Sequence, residues 1–326
     1  MKMNNTPKKL KQIIDRCNNL LVISHILPDG DNIGSVIAMM LLLKKEGKNV
    51  TAVVNGEMPP YYRFLEGASD LVTKDELVPR TYDAVLCLDM SDRERGGEVW
   101  EKIEGSPVLV NIDHHISNDY YGDYNYVFGE ASSTAEIVTS LFLEWNVPVE
   151  KAMAEALYVG MVTDSGSFTY SSTSAHTMRM AAVLLEAKPD LEAIRENVLE
   201  NVSFLRKKLL AAVLNHAELE YNGKLCYAAI GYDEIRALKA KGPDFENIID
   251  HLIGVTGVEY AVFFREIEPE MVKVGFRGRG KNDVTVVASH FGGGGHRAAA
   301  GCSCRGRLED VVKSVVDDVI LYLEES

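Results

Sequence analysis

The sequence predicts an α/β protein with an N-terminal, mostly parallel sheet flanked by helices, a helical linker and a smaller C-terminal α/β domain. Short segments such as 84–88 and 108–112 are apolar throughout, as parallel strands that are covered on both faces tend to be. They alternate with longer apolar segments of helical period, such as 32–46, which is the pattern of β-α-β units. A chain of 326 residues is long enough for two domains, each with its own core.

Apolar periods and capping residues predict the elements of the N-terminal half. Thr6 and Pro7 are a typical start of an amphipathic helix, and Gly47 is a typical end of the helix at 32–46. The predicted strands are 20–24, 50–54, 84–88 and 108–112. Ser133-Thr134-Ala135-Glu136 matches a capping box, which opens a helix that runs to about Trp145. The helices predicted after it are about 148–162, then 174–187, 191–201 and 203–221.

The C-terminal part also alternates strands with helices. Its predicted strands are 225–230, 259–266 and 271–275, and its predicted helices are 245–253, 283–291 and 308–324. The β-branched run 284–287 favours a strand by propensity, but Val284, Val287 and Phe291 fall on one helical face, so we predict a helix there. We place the domains at 1–188 and 223–326, with the helical linker at 189–222.

Charge and composition limit the classes of function. A formal net charge of −14 argues against a protein that coats long nucleic acids, but a short anionic substrate is compatible with local positive charge or a metal. The five cysteines have no disulfide or zinc-site spacing, and Cys302-x-Cys304 is interpreted as two strand residues that face one way. No apolar run approaches membrane-spanning length, and residues 1–16 lack a secretory signal. We therefore expect a cytoplasmic protein with no membrane partner.

Polar residues gather where the first predicted strand ends. His25, Asp29 and Asp31 lie there, on a turn shaped by Pro28 and Gly30. Open α/β sheets bind their ligands at the carboxyl ends of their strands. One imidazole and two carboxylates on a tight turn are typical ligands of a divalent metal, although an isolated Asp-x-Asp is more often a solvated turn with an N-cap.

Similar residues follow two more predicted strands and one predicted helix. Asp89 follows the strand at 84–88, Asp113-His114-His115 follows the strand at 108–112, and Asp164 follows a helix. At least six hard ligands are therefore available, from His25, Asp29, Asp31, Asp89, Asp164 and the Asp113-His114-His115 segment. This number exceeds what one octahedral ion takes from a protein while leaving room for substrate, so two ions that share a bridging carboxylate fit better.

The ligand chemistry indicates the metal and the reaction. Mixed imidazole and carboxylate ligands suit manganese better than magnesium, which prefers oxygen ligands and waters. Two such ions, roughly 3.5–4 Å apart, lower the pKa of a water to near neutrality and stabilise both oxygens of an in-line phosphoryl displacement.

A basic segment in the C-terminal part predicts an anion pocket. Between residues 273 and 307 the only acid is Asp283, whereas the cations are Lys273, Arg277, Arg279, Lys281, Arg297, Arg305 and Arg307. The amides of Gly292–Gly295 could cradle a phosphate beside His296, although a flexible turn is the alternative for the glycines. Arg277 is the best candidate for a bidentate phosphate contact, and the other arginines are more often solvated surface residues.

The sequence resembles the DHH phosphoesterase superfamily in four motifs, which occur in that family's order: His25-x-x-Pro28-Asp29-Gly30-Asp31, Asp89, Asp113-His114-His115 and Thr163-Asp164-Ser165-Gly166. Phe291-Gly292-Gly293-Gly294-Gly295-His296 resembles the signature of the DHH-associated substrate-binding domain. The resemblance covers essentially the whole chain. Its two-domain arrangement is similar to the oligoribonuclease and 3′-phosphoadenosine 5′-phosphate phosphatase subfamily, and it implies an N-terminal catalytic domain and a C-terminal substrate-binding domain.

The resemblance also implies roles for these residues. One ion would be held by His25 and Asp29, the other by Asp31, His114 and Asp164, and Asp89 would bridge the two. His115 would lie beside the scissile phosphate, oriented by Asp113, and the implied substrate-binding residues are Gly293, Gly294, Gly295, His296 and Arg277. Two positions depart from the family pattern: Ser165 stands where threonine is common, and Gly278 stands where a serine is usual between two arginines.

The prediction is a manganese-dependent phosphodiesterase that removes 5′-mononucleotides from short oligonucleotides or linear dinucleotides, as a 3′-5′ oligoribonuclease does. Removal of the 3′-phosphate from adenosine 3′,5′-bisphosphate is a second expected activity. The alternative enzyme is a cyclic di-AMP phosphodiesterase, and the alternative of another class is a nucleotide-binding module without catalysis. Expected partners are short single-stranded oligonucleotides or nucleotides with a terminal phosphate, and a homodimer is one assembly that the sequence leaves open.

Overall fold

The computed structural model describes residues 4–105, 107–245 and 247–325, apart from the side chain of Pro243. Within them, each half of the chain folds around a six-stranded sheet of its own. The chain divides into an N-terminal unit, Met1–Asn201, and a C-terminal unit, Val202–Ser326. No helix of the described ranges is both long and apolar enough to span a membrane.

The strands predicted in the N-terminal unit are confirmed to within one residue. Its strands are β1 (Asn19–Ile23), β2 (Asn49–Val54), β3 (Val72–Thr73), β4 (Arg80–Thr81), β5 (Ala84–Leu88), β6 (Ile103–Glu104), β7 (Val108–Asp113) and β8 (Tyr124–Val127). Its α-helices are α1 (Pro7–Arg16), α2 (Gly30–Lys45), α3 (Thr134–Glu144), α4 (Lys151–Asp164), α5 (Ala175–Glu186) and α6 (Leu191–Ile194). The short strands β3, β4, β6 and β8 were not predicted, because two to four residues show too little of a period.

The main sheet of the N-terminal unit is parallel throughout, which confirms the predicted fold class. Its strand order is β3-β2-β1-β5-β7-β8. The strands β1, β5 and β7 are neighbours, with Ile23 beside Cys87 and Leu88 beside Ile112. Parallel strands end at the same edge of a sheet, so the residues that follow these three strands meet at one rim.

Helices cover one face of this sheet. The buried apolar residues of α1 to α5 pack there, and the opposite face packs against Leu77, Tyr82, Met90 and Val99. Helices α2 and α4 approach so closely that a Cβ on Gly34 would overlap the backbone carbonyl of Ala156. This close packing ties the first turns of α2 to the middle of α4.

The C-terminal unit is a mixed sheet with helices on both faces. Its helices are α7 (Phe204–Asn215), α8 (Tyr232–Leu238), α9 (Ile248–Ile253), α10 (Val284–His290) and α11 (Leu308–Glu325). Its strands are β9 (Glu218–Glu220), β10 (Leu225–Ile230), β11 (Tyr260–Glu268), β12 (Met271–Gly278), β13 (Gly294–His296) and β14 (Ala299–Arg305), in the order β13-β14-β12-β11-β10-β9. Only β10 and β11 among these neighbours are parallel. One face packs against α10 and α11, and the other against α7, α8 and α9.

Several predicted element ends are wrong. The helix predicted at 203–221 ends at Asn215, because the chain turns into β9, which pairs with β10. The helix predicted at 191–201 continues as α-helix only to Ile194 and then as a π-helical turn. The strand predicted at 271–275 runs on to Gly278, so Arg277 lies in β12. The ambiguous segment at 283–291 is confirmed as a helix, with the Asp283 side chain accepting from the amide of Thr285.

Candidate metal centre and substrate-binding face

The carboxyl ends of β1, β5 and β7 carry most of the predicted metal ligands. His25 lies two residues beyond β1, Asp89 lies directly beyond β5, and Asp113 ends β7 and is followed by His114. Asp89 has a positive φ of 60°. Aspartate adopts this left-handed conformation more readily than most residues, and such backbone outliers are concentrated at functional sites. The unusual backbone turns the side chain of Asp89 into the rim of the sheet.

His25 faces two carboxylates through its Nε2 nitrogen. Its Nδ1 lies 2.6 Å from the carbonyl oxygen of Ile26, which makes Nδ1 the protonated nitrogen. Its Nε2 is buried and has no hydrogen-bond partner among the described residues. This nitrogen lies 3.4 Å from Oδ2 of Asp89 and 3.9 Å from Oδ2 of Asp29. A bare imidazole nitrogen between two carboxylates suits a divalent metal.

His114 forms a second group on the other side of Asp89. Its Nδ1 lies 3.3 Å from the carbonyl oxygen of Ala131, which leaves Nε2 facing carboxylates. From Nε2 the distances are 3.3 Å to Oδ2 of Asp164, 3.5 Å to Oδ1 of Asp89 and 3.9 Å to Oδ2 of Asp31. Asp89 therefore belongs to both groups, with one carboxylate oxygen towards each imidazole.

The first turn of α3 holds the carboxylate of Asp31. The amide of Thr134 lies 2.6 Å from Oδ2 and the amide of Ala135 lies 2.8 Å from Oδ1. Free amides at a helix N-terminus stabilise a neighbouring anion. The hydroxyl of Thr134 also donates to Oδ1 of Asp89 at 2.9 Å. One end of α3 thus orients a carboxylate of each group.

The capping box predicted at 133–136 forms in one direction only. Ser133 Oγ accepts from the amide of Glu136 at 3.1 Å, as predicted. The carboxylate of Glu136 does not return to Ser133, because it accepts from the amide and hydroxyl of Ser132 and from the hydroxyl of Thr177. This buried carboxylate fixes the loop that carries the start of α3.

Burial and mutual repulsion determine the protonation of the carboxylates. Burial, together with the charges of Asp89 and Asp164, raises the pKa of Asp31 well above its usual value. Burial raises the pKa of Asp164 to about 6, although His114 opposes it. Burial alone would raise the pKa of Asp89 as well, but the imidazoles of His25 and His114 lower it to about 2. Carboxylates buried this close together favour the binding of a cation.

The donor atoms fit divalent metal. The ligand atoms of His25, Asp29 and Asp89 lie within 4.8 Å of one another, and so do those of Asp31, His114 and Asp164. A third such group overlaps both and consists of Asp89, His114 and His115. The structure thus brings together all six ligands that were predicted from the sequence, with His115 beside them.

His115 is oriented from behind by Asp113. Its Nδ1 lies 2.7 Å from Oδ1 of Asp113, and this hydrogen bond is the main cause of the raised pKa of His115. Asn118 donates to the other oxygen of Asp113 at 2.6 Å. On the exposed side, Nη1 of Arg95 lies 3.2 Å from Nε2 of His115. Sequence reasoning missed Arg95 and Asn118. The sequence offers one indication of them, namely that Arg95 comes soon after Asp89 and Asn118 soon after His115.

Two glycines let the polar segments approach one another. A Cβ on Gly30 would overlap the side chain of Thr163, so this position joins the first and fourth motifs. A Cβ on Gly160 would lie 2.9 Å from Oδ1 of Asp31 and would displace that carboxylate. Glycine is required at both positions because of space rather than because of backbone conformation.

The predicted substrate-binding residues lie together in the C-terminal unit. Arg277 on β12 is in register with Ala299 on β14, which is in register with His296 on β13. Residues in register on neighbouring strands point to the same face, so Arg277 and His296 share one. Nε of Arg277 lies 3.1 Å from Oδ1 of Asp250, and this ion pair fixes the guanidinium. Gly294 and Gly295 belong to the edge strand β13, and Gly293 packs against β14 with no room for a side chain.

Comparison with known families matches both units. Residues 19–161 match the N-terminal domain of the DHH family, and residues 222–325 match the DHHA1 domain. The first match contains His25, Asp29, Asp31, Asp89 and His114, and the second contains Arg277 and the glycine-rich segment.

Relatives with curated names cover nearly the whole chain. The bifunctional oligoribonuclease and PAP phosphatase NrnA of Thermus thermophilus is 30% identical over 92% of this chain and 89% of its own length. The protein of the same name from Bacillus subtilis is 28% identical over 90% of this chain and 92% of its own length. The cyclic-di-AMP phosphodiesterase PdeA of Listeria monocytogenes is 26% identical over 89% of this chain but only 45% of its own length.

A solved structure supports the same assignment. The crystal structure of an exopolyphosphatase-related protein from Bacteroides fragilis superposes with a TM-score of 0.85 and 26% identity, covering 97% of this chain and 95% of that one. Sequence and structure agree over both units. The chain belongs to the DHH family, with a DHHA1 domain in its C-terminal unit.

Proposed function

We propose that this chain is a two-metal phosphodiesterase that hydrolyses short oligonucleotides or linear dinucleotides to 5′-mononucleotides and removes the 3′-phosphate from adenosine 3′,5′-bisphosphate. The observation that carries the proposal is the position of Asp89 between two imidazoles, with Oδ2 towards His25 and Oδ1 towards His114. Such a carboxylate is suited to bridge two cations. The names of the relatives from Thermus thermophilus and Bacillus subtilis support the same two substrates.

The metal assignment follows from the donor set. His25 and Asp29 would hold one ion, Asp31, His114 and Asp164 the other, and Asp89 both. When bound, two such ions activate a water molecule for attack on phosphorus and stabilise the charge that develops on the phosphate. The mixture of imidazole and carboxylate favours manganese over magnesium, which prefers oxygen ligands.

The other residues of the site bind and orient the phosphate. His115 lies on the exposed side of the carboxylate cluster, and Asp113 holds its ring in one orientation. Arg95 adds a cation next to the same ring nitrogen. We assign Arg95 to the non-bridging oxygens of the scissile phosphate, because its guanidinium donates hydrogen bonds to an anion, and we place His115 beside the same phosphate. In the C-terminal unit, Arg277 would bind a terminal phosphate, with Gly293, Gly294, Gly295 and His296 lining the same face.

A panel of substrates tests the proposal. Purified protein, dialysed against chelator and supplemented with manganese, is incubated with linear diadenylate, adenosine 3′,5′-bisphosphate and cyclic di-AMP, and the products are separated by chromatography. We expect adenosine 5′-monophosphate from the first two substrates and slow or no turnover of the third. An absence of turnover on all three with manganese, magnesium or cobalt would contradict the proposed function.

The alternative, a cyclic di-AMP phosphodiesterase, is less favoured. The relative that carries this name extends over more than twice the aligned length, since the alignment covers 45% of it. If the protein hydrolyses cyclic di-AMP faster than the two linear substrates of the panel, the cyclic di-AMP phosphodiesterase becomes the favoured function. A cytoplasmic location and a homodimer stay predictions, and light scattering of the purified protein measures the second.

A further inference from the structure

A cavity of the N-terminal unit lies between β8, the last strand of the main sheet, and the helices α3 and α5. Its volume of about 450 Å³ is within the usual range for small-molecule sites. The lining comes from β8, from the loop that follows it, from one side of α3 and from the start of α5. It contains none of the six candidate metal ligands and none of the predicted substrate-binding residues. The proposed function therefore leaves this cavity without a role.

One oxygen of a buried carboxylate is left without a donor at this cavity. Glu136 lies in the first turn of α3, lines the cavity and is only 3% exposed. The amide and hydroxyl of Ser132 and the hydroxyl of Thr177 all donate to the same oxygen, Oε2, at 2.7–2.9 Å. The other oxygen, Oε1, accepts no hydrogen bond in the part of the chain that the structure describes. Buried polar atoms are normally hydrogen-bonded, and an occupant of the cavity can supply the missing donor.

Two aromatic rings form the apolar wall of the cavity. The rings of Tyr126 and Phe128 meet edge to face, with centroids 4.7 Å apart and planes at 66°. Tyr126 is in register with Ile112 of β7 and packs on the face of the sheet that the helices cover. The ring of Phe128 is 43% exposed. Aromatic faces attract cations, and the same rings contact a hydrocarbon or aromatic body.

The charge of the lining is negative. The exposed residues Glu130 and Glu144 join Glu136 there, whereas none of the described residues that line the cavity is lysine or arginine. The one histidine among them is His176, whose Nε2 lies 2.9 Å from Oγ of Ser140. Three carboxylates around an aromatic wall favour a positively charged occupant.

We propose that this cavity binds a small organic cation, which is an ammonium or amidinium group on an apolar body. An N–H of the cation donates to Oε1 of Glu136, and the body contacts Tyr126 and Phe128. A metal ion would leave the aromatic wall without a contact, and a neutral ring would leave the carboxylate oxygen unpaired. The site stands on the cavity and its lining and does not depend on the proposed function.

Calorimetric titration of the full chain tests this site without any turnover. The probes are benzamidine, its neutral isostere benzamide, and acetamidine, which carries the charge without the ring. Manganese is present throughout, so that the organic cation does not bind at the metal ligands. We expect benzamidine to bind at least about tenfold more tightly than either of the other probes, since a charged hydrogen bond and an apolar contact add.

Two results of this titration would overturn the proposal. Equal affinity for benzamide would show an apolar pocket that does not recognise charge. Equal affinity for acetamidine would show an acidic surface that holds any small cation. Absence of benzamidine binding would overturn the proposal as well.

Glu136→Gln locates the binding. The glutamine oxygen can keep the donors of Ser132 and Thr177, and its NH₂ group then presents a donor to the cavity in place of an acceptor. The variant should therefore stay folded and raise the Kd for benzamidine at least about tenfold. Glu186→Gln, which removes an exposed carboxylate of α5 outside the lining, is the matched control.

A second variant keeps the test decisive if Glu136→Gln does not fold. Phe128→Ala removes part of the exposed wall and should raise the Kd for both benzamidine and benzamide several-fold. A Kd for benzamidine within twofold of the parent in either folded variant would show that the cation binds elsewhere, and the proposal would be wrong. Failure of the substrate panel with retained, Glu136-dependent binding would contradict the proposed function and leave this site standing.

Discussion

The Nδ1 of His115 lies 2.7 Å from Oδ1 of Asp113, whose carboxylate is fully buried behind the metal-binding rim. The other oxygen of Asp113 accepts from Asn118, so both oxygens face hydrogen-bond donors. An asparagine side chain at position 113 would have only one acceptor oxygen, so its NH₂ group would face either the donor of His115 or that of Asn118. We therefore predict that Asp113 is a positioning residue, which acts on the reaction through His115.

We expect Asp113→Asn to lower kcat for linear diadenylate about 10–100-fold, which is the usual effect of losing a partner behind a functional histidine. The KM should change little, because His115 still occupies the site but in the wrong orientation. Steady-state kinetics with manganese measure both parameters. Asp75→Asn, a change at an exposed aspartate, is the control, and a kcat within twofold of the parent would refute the positioning role.

Asp89→Asn should abolish turnover while the fold stays intact. Asp89 directs one oxygen towards each imidazole, and a neutral amide offers only one anion-like oxygen to two cations. The hydroxyl of Thr134 can still donate to that oxygen, so the local structure should survive. Turnover and far-ultraviolet circular dichroism are measured together, with Asp75→Asn again as the control. Retained turnover would rule out Asp89 as the bridging ligand.

The six candidate metal ligands could be picked out from the sequence because they lie near the ends of elements that the apolar pattern marks clearly. His25, Asp89 and Asp113–His115 lie at or just beyond the ends of buried strands, and a parallel sheet brings such strand ends together. What holds the ligands was not predictable. The amide of Thr134 binds Asp31, which is 103 positions away in the chain, and the spacing of apolar residues within one segment cannot reveal such a long-range contact.

The errors also have tertiary causes. The helix predicted at 203–221 ends at Asn215, and β9 forms after it because β10 offers a strand edge to pair with. Arg277 stays a predicted phosphate ligand, and the contact that the sequence did not reveal is its ion pair with Asp250, 27 positions away on α9. Gly278 stands where a serine is usual in the family. In this fold a Cβ at position 278 would lie 2.8 Å from Cγ1 of Val284, so α10 leaves little room for a serine side chain.

Divalent metal should raise the melting temperature of the protein. A ligand present at 100 times its Kd stabilises the folded state by about 2.7 kcal/mol when it does not bind the unfolded chain. Burial and, after it, repulsion between the carboxylates raise the pKa values of Asp31 and Asp164, and a bound ion would offset both effects. Differential scanning fluorimetry with and without manganese measures the shift, and no shift at millimolar manganese would argue against a metal site.

The number of ions can be measured with a single variant. His25→Ala removes the bare Nε2 from one group and leaves the Asp31, His114 and Asp164 group complete. We expect bound manganese to fall from two equivalents to one by elemental analysis after desalting. His216→Ala, which removes an exposed histidine from the C-terminal unit, should keep both equivalents. One equivalent in the parent would refute the two-ion assignment.

Arg277→Ala should mainly raise the KM for substrates that carry a terminal phosphate. A hydrogen bond to a charged group contributes about 1.5–3 kcal/mol, which corresponds to roughly a tenfold or greater increase in KM. Kinetics on adenosine 3′,5′-bisphosphate and on linear diadenylate with and without a 5′-phosphate separate this effect from a general loss of activity. An unchanged KM would show that the ion pair with Asp250 is structural and that Arg277 does not bind substrate.

Gly34→Ala should destabilise the N-terminal unit through the packing of α2 against α4. A Cβ at position 34 would overlap the carbonyl of Ala156, a backbone atom that cannot turn away as a flexible side chain does. Overpacking of this kind costs about 1–3 kcal/mol, or roughly 2–12 °C in melting temperature for a unit of this size. Gly242→Ala is the control, because nothing lies within 4 Å of a Cβ there. Asp31 lies in the first turn of α2 and Asp164 ends α4, so separation of the two helices should also weaken manganese binding. A melting temperature of Gly34→Ala equal to that of the control would disprove the close approach of the helices.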